Sequence, residues 1–168
     1  MARRNAASQM ALGGVLAALA TVIQCLGGLI PLATFVCPML CILLTAVVCR
    51  RCGRSVAWAW YGCVAILSAL LGPDKEAAAV FVFLGYYPIV KEKLDSLPFR
   101  WLWKALLFNV AVGLMYFLLI RLLGMDALAA ELEELGLIMG GITLLMGNVT
   151  FFLLDRLLQK PFPPSKKR

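Results

Sequence analysis

Histidine is absent from this chain of 168 residues. Intramembrane metalloproteases, phosphatases of the lipid-phosphate type and serine hydrolases with a histidine base all need that side chain, so these classes are excluded. No hydrophobic segment carries a central pair of carboxylates for an aspartyl dyad, and no GxxxxGK[ST] motif is present to hold nucleotide phosphates. We therefore expect that the chain is not an enzyme and that it carries no cofactor and no metal.

Charge is also scarce, since only 15% of the residues are charged whereas 62% are hydrophobic. A soluble domain carries about 25% charged and about 45–50% apolar residues. The charged residues are clustered and leave long uncharged runs between them. This pattern predicts an all-α polytopic membrane protein, a compact bundle of transmembrane helices.

Six spans can be read from the gaps between the charges, and they fill a single transmembrane domain over residues 1–168. The first holds about 20 apolar residues, longer than the hydrophobic region of a typical signal peptide, so we expect it to remain in the protein. The predicted spans are 10–30, 34–49, 55–71, 77–90, 101–123 and 135–158.

The fourth predicted span is unusual because its 14 residues rise only about 21 Å, less than the roughly 30 Å of hydrocarbon in a bilayer. Short or broken hydrophobic segments often belong to a site inside a bundle. Pro88 near its end disfavours helical geometry at the preceding residue, so a kink is one possibility. The other interpretation is that Tyr86 and Tyr87 anchor the segment at the membrane interface.

The distribution of basic residues predicts the orientation. If both termini are cytoplasmic, 14 of the 16 Lys and Arg residues lie inside, and only Lys75 and Arg121 lie outside. The net charge of +7 is then explained by orientation in the cell membrane and requires no nucleic acid. Four tryptophans near the inner ends of spans three and five fit an interfacial aromatic belt: Trp58, Trp60, Trp101 and Trp103.

Small residues form a stripe along the first span at the positions Ala7, Ala11, Gly14 and Ala18. Such a stripe lets helix backbones approach closely in lipid. It can serve packing inside the bundle, or it can form a docking face for another membrane subunit.

The segment QMALGGVLAALATVIQ, which contains the stripe from Ala11 onward, resembles the first helix of the S components of energy-coupling factor (ECF) transporters. That resemblance implies a small six-helix bundle with both termini inside, which binds a vitamin or similar micronutrient in its outer half. It also implies membrane and subunit partners, namely lipid, a transmembrane coupling protein and the ATPase subunits attached to it. The alanine-rich motif of that family docks on the coupling protein, and its counterparts here are the four residues of the stripe.

The same resemblance places a ligand site under the outer loops, where GPDKE joins the third and fourth spans. Asp74 can cap the following helix, and Glu76 is favourable in its first turn, so a simple helix start is one interpretation. The other is that Asp74, Lys75 and Glu76 line the mouth of a pocket. Polar residues predicted at similar depth are Gln24, Tyr116, Arg121 and Thr143.

The sequence thus leads to one expected function and one alternative. The expected function is an integral membrane solute-binding subunit of a multi-subunit importer, of the ECF S-component kind. The alternative is a non-catalytic structural or regulatory subunit of another membrane complex.

Overall fold

The computed structural model describes the backbone at residues 2–27, 33–123 and 126–159, and within these ranges all regular structure is helical. Seven helices follow one another along the chain. They are α1 (Ala2–Gly27), α2 (Ala33–Cys52), α3 (Arg54–Leu71), α4 (Lys75–Leu84), α5 (Tyr87–Asp95), α6 (Arg100–Leu123) and α7 (Asp126–Gln159). The chain forms two compact units, residues 1–124 and residues 125–168.

Five stretches are long and apolar enough to cross a bilayer, as a polytopic membrane protein requires. These stretches overlap the first, second, third, fifth and sixth predicted spans. The first four begin and end within three residues of the predicted bounds, and the last overlaps 135–158 from Gly140 onward. They are Ala7–Gly27, Thr34–Cys52, Arg54–Leu71, Arg100–Arg121 and Gly140–Gln159.

The fourth predicted span, 77–90, does not form one continuous helix, and a break lies near Pro88, where a kink was one possibility. The segment is divided into α4, of ten residues, and α5, of nine, with Gly85 and Tyr86 between them. Pro88 lies in the first turn of α5 and has no N–H to donate to the carbonyl of Leu84. Gly85 is tightly surrounded, because an added Cβ would lie 2.5 Å from the carbonyl oxygen of Phe81 and 3.0 Å from the Tyr61 ring.

Side chains of α3 hold this break together. The Tyr61 hydroxyl donates to the carbonyl of Val82, and Arg54 Nη2 donates to the carbonyl of Ile89 at 2.6 Å. The rings of Trp58 and Tyr86 stack with centroids 6.4 Å apart. In an apolar environment these donors satisfy carbonyls that would otherwise be costly to bury.

Two aromatic residues lie deeper than interfacial anchors would. Tyr87 is completely buried, so its assignment to the membrane interface was wrong; the turn at Tyr86 directs it into the helices instead. Trp60 is 5% exposed and donates its Nε1 hydrogen to the carbonyl of Gly13 in α1 at 3.1 Å, so it does not belong to a belt. By contrast, Trp58, Trp101 and Trp103 are exposed.

In the unit formed by residues 1–124, α2 occupies the centre and contacts α1, α3, α4 and α5. Several of its buried side chains are small, including Cys41, Ala46 and Thr45, whose hydroxyl donates to the carbonyl of Cys41 at 3.0 Å. Small side chains let the neighbouring helices pack closely. α6 packs against α4 and α5 and completes this group of helices.

The unit formed by residues 125–168 is built on α7, which begins at Asp126 rather than at residue 135. The acidic segment before the predicted sixth span is therefore helical as well, which a span read from hydrophobicity does not address. Its alanine, leucine and glutamate residues are strong helix formers.

Candidate functional site

The turn between α3 and α4 contains the charged residues that the sequence singled out. Asp74 has an extended backbone, and its Oδ1 accepts hydrogen bonds from the N–H groups of Glu76, at 2.9 Å, and Ala77, at 3.1 Å. This geometry is that of a helix N-cap, which satisfies two of the donors left free at the start of α4. The capping interpretation of Asp74 is therefore realised in the structure.

Lys75 folds back over the end of α3. Its Nζ donates to the carbonyls of Ala69 and Gly72, each at 3.0 Å. These carbonyls belong to the C-terminal turn of α3, where a positive charge is favourable next to the helix dipole. Lys75 thus joins the end of one helix to the start of the next and fixes the turn.

Glu76 reaches across to α6, where the hydroxyl of Tyr116 donates to its Oε1 at 3.0 Å. Glu76 and Tyr116 are 40 positions apart in the chain and are hydrogen-bonded in the structure. From the sequence we expected only that they lie at a similar depth in the membrane. A charge-assisted bond of this kind ties the first turn of α4 to α6.

Gln24 lies at the same level, since the Sγ of the next residue, Cys25, is 3.9 Å from the carbonyl of Leu71 at the end of α3. Gln24 is only 2% exposed, and within the described part of the chain neither its Oε1 nor its Nε2 has a hydrogen-bond partner. Burying an amide without a partner costs about 1–3 kcal/mol. This side chain is the polar group of the site whose bonding is incomplete.

An apolar groove of about 310 Å³ runs between α3, α4 and α6. Lys75 is part of its wall. Five other proposed site residues are not, namely Gln24, Asp74, Glu76, Tyr116 and Arg121. The remaining wall is made of apolar side chains, namely Ala69, Ala78, Ala79, Val82, Phe83, Met115, Leu118 and Leu119. The sequence analysis considered polar residues and therefore did not identify this apolar lining. The run Ala77–Ala79 was the one sequence feature that indicated it.

Arg121 is not joined to the other proposed site residues in the described structure, and Thr143 belongs to the other compact unit. Arg121 is exposed in the last turn of α6, and it forms no ion pair there with Asp74 or Glu76. Thr143 lies on α7, in the unit formed by residues 125–168.

The four residues of the small stripe, Ala7, Ala11, Gly14 and Ala18, are all exposed. α1 instead packs through another face, which contains Gly13, Ala20 and Gln24. Open space surrounds the position of an added Cβ at Gly14. The stripe is therefore not part of the packing of α1 within the described structure.

The chemistry that these residues offer is hydrogen bonding and charge, without a nucleophile and its base. Within the described residues, no group of three His, Cys, Asp or Glu side chains is placed to hold a metal ion. No family model, curated protein or solved structure matches this chain.

The capping geometry predicts how Asp74 responds to substitution. Asp74→Ala removes the acceptor of two backbone N–H groups and should lower the free energy of unfolding by about 1 kcal/mol. Asp74→Asn keeps an acceptor oxygen and should change stability by a few tenths of that amount. Thermal unfolding of both variants in the same detergent tests this, and equal losses in the two would show that charge, not capping, is the contribution of Asp74.

Proposed function

We propose that this chain is an integral membrane solute-binding subunit of a multi-subunit importer, an S component of the ECF kind for a vitamin or similar micronutrient. It performs no covalent chemistry in this proposal, and nucleotide hydrolysis occurs in partner subunits. Support comes from the apolar helices, from the resemblance of the first helix, and above all from the polar residues at the α3–α4 end of the unit formed by residues 1–124.

The observation that carries the proposal is the buried amide of Gln24, which has no hydrogen-bond partner among the described residues. A buried Gln in a purely structural bundle normally bonds to a neighbouring helix, since a free amide destabilises the fold. A bound solute that offers one acceptor and one donor would satisfy both Nε2 and Oε1. The loss of stability caused by the free amide is then the consequence of a preorganised binding site.

A specific observation also favours the alternative of a structural or regulatory subunit. Asp74, Lys75 and Glu76 each bond to a group of the protein itself, and the groove beside them is almost wholly apolar. In that case the exposed stripe of α1 would be the functional surface, and no solute would be bound.

Substitution of Gln24 separates the two functions. Gln24→Leu removes a free amide, so the solute-free protein should unfold at a higher temperature, with a gain of about 1–3 kcal/mol. If a solute bonds to Gln24, its retention should fall at least about tenfold, which corresponds to 1.4 kcal/mol. The measurement is mass spectrometry of small molecules released from the purified protein, beside its thermal unfolding.

Gln9→Leu is the matched control, because Gln9 lies on the same helix but is exposed, with its Nε2 3.4 Å from the carbonyl of Arg51. It should leave the bound solute unchanged. A solute retained within twofold by Gln24→Leu removes Gln24 from the site. A wild-type protein that releases no small molecule at all supports the alternative function.

The proposal includes an orientation in which both termini face the cytoplasm of a cell whose plasma membrane holds the protein. The basic residues support it, since 14 of 16 then lie inside. In this orientation the α3–α4 turn faces outward, and the α5–α6 turn faces inward.

Cysteine labelling of intact cells tests this orientation. In a background without the native cysteines, an impermeant maleimide should label Arg121→Cys and should not label Lys93→Cys until the cells are opened. Both positions are exposed in the structure, so a difference reports the side of the membrane. The opposite labelling pattern would invert the proposed topology and move the α3–α4 turn inside.

The proposal also assigns the exposed stripe of α1 to docking on a transmembrane coupling protein. Ala11→Leu should separate the two backbones, lose close dispersion contacts and lower recovery of the associated ATPase subunits at least about fivefold. Leu12→Phe, at an exposed position on another face of the same helix, is the control and should not change recovery. Equal recovery with both variants would leave the stripe as lipid-facing surface.

A further inference from the structure

The turn from α5 to α6 is the most unusual exposed surface of the described structure. Four consecutive residues at the start of α6, from Arg100 to Trp103, are all exposed. Because successive helical residues point 100° apart, four exposed neighbours mean that this end of α6 is uncovered on every side. Three of the four are large and apolar: Trp101 is 60% exposed, Leu102 54% and Trp103 47%.

Phe99, just before α6, is also part of this surface, and contacts within the protein do not account for its unusual backbone conformation. Its φ of 55° lies in the left-handed region, which is unfavourable for a bulky side chain. Its carbonyl accepts from the N–H groups of Leu102, at 2.8 Å, and Trp103, at 3.3 Å, and so begins α6. Its side chain gains little from packing, since it is 74% exposed.

Basic residues outnumber acidic ones at this turn. Of the two carboxylates on α5, Glu92 is exposed, whereas Asp95 lies near two ammonium groups, with Lys104 Nζ at 2.5 Å and Lys91 Nζ at 3.7 Å. Lys93 and Arg100 are exposed, and neither forms an ion pair in the described part of the chain. The surface formed by Lys93 and residues 99–103, the α5–α6 corner, is therefore both aromatic and cationic.

We infer that the α5–α6 corner binds anionic phospholipid headgroups at the membrane interface. Tryptophan and phenylalanine rings settle at the level of the headgroups, where Lys93 and Arg100 can approach lipid phosphates. An acidic protein partner is the less suitable occupant, because a folded surface would have to surround the start of α6, whereas lipid does so without a special shape. Burial of Phe99 among lipids also compensates for its backbone conformation.

Lipid retention tests this assignment. The protein is equilibrated with mixed micelles that contain phosphatidylcholine and phosphatidylglycerol, and bound lipid is counted by native mass spectrometry. The wild type should retain phosphatidylglycerol preferentially. Lys93→Gln and Arg100→Gln should each lower that preference about fivefold, the change expected for one basic residue near an anionic surface. Added salt should weaken it as well.

Arg121→Gln is the matched control, since it removes one exposed positive charge from the other end of the same helix. It should leave the preference unchanged. An equal loss with Arg121→Gln would mean that overall charge, not the corner, attracts the lipid, and it would overturn the assignment. Unchanged retention in Lys93→Gln and Arg100→Gln would overturn it too, as would equally tight binding of soluble polyglutamate at the corner.

Phe99→Gly distinguishes insertion of Phe99 into lipid from a role of Phe99 in the stability of the fold. Glycine adopts positive φ freely, so this variant should unfold at the same or a higher temperature in detergent. In bilayers, however, it should reduce quenching of tryptophan fluorescence by lipids brominated near the headgroup, because the corner penetrates less deeply. A destabilised variant with unchanged quenching would assign Phe99 to the fold and contradict insertion.

Discussion

Hydrogen bonds from side chains to backbone carbonyls are the interactions on which this arrangement of helices depends. A helix that is broken within a bilayer exposes carbonyls that water cannot reach. Here the break between α4 and α5 is bridged from α3, because Tyr61 donates to the carbonyl of Val82 and Arg54 donates to that of Ile89. Pro88 interrupts the helix in any case, and these two donors attach the segments on both sides of the break to α3.

The same principle separates the two ends of the unit formed by residues 1–124. At the α5–α6 end, the carboxylate of Asp95 lies against Lys104, and the carbonyl of Ile89 receives Arg54. At the α3–α4 end, Asp74, Lys75 and Glu76 are bonded, but the buried amide of Gln24 has no partner within the described part of the chain. The two ends thus differ in that a buried side-chain amide at the α3–α4 end can still form hydrogen bonds.

The long apolar helices were predictable because each lies largely within an uncharged run between clusters of charged residues, as expected for helices that can cross a membrane. α2, α3 and α6 begin and end within three residues of the predicted spans. The break at Gly85 and Tyr86 was only partly predictable. Pro88 indicated a disturbance, but its position depends on Tyr61 and Arg54, which come from another helix. The helical start of α7 was not addressed, because hydrophobicity does not detect a polar helix.

The candidate site was predictable in its residue types but not in its bonding. A cap at Asp74 follows from local sequence, whereas the bond between Glu76 and Tyr116 requires knowledge of which faces of α4 and α6 meet. The lack of a hydrogen-bond partner for Gln24 among the described residues is even harder to predict, because it depends on every helix that packs around that side chain. Depth along a span suggested Gln24, but only the arrangement of the surrounding helices makes its amide available. The residue that carries the functional argument is thus the one whose environment the sequence specifies least directly.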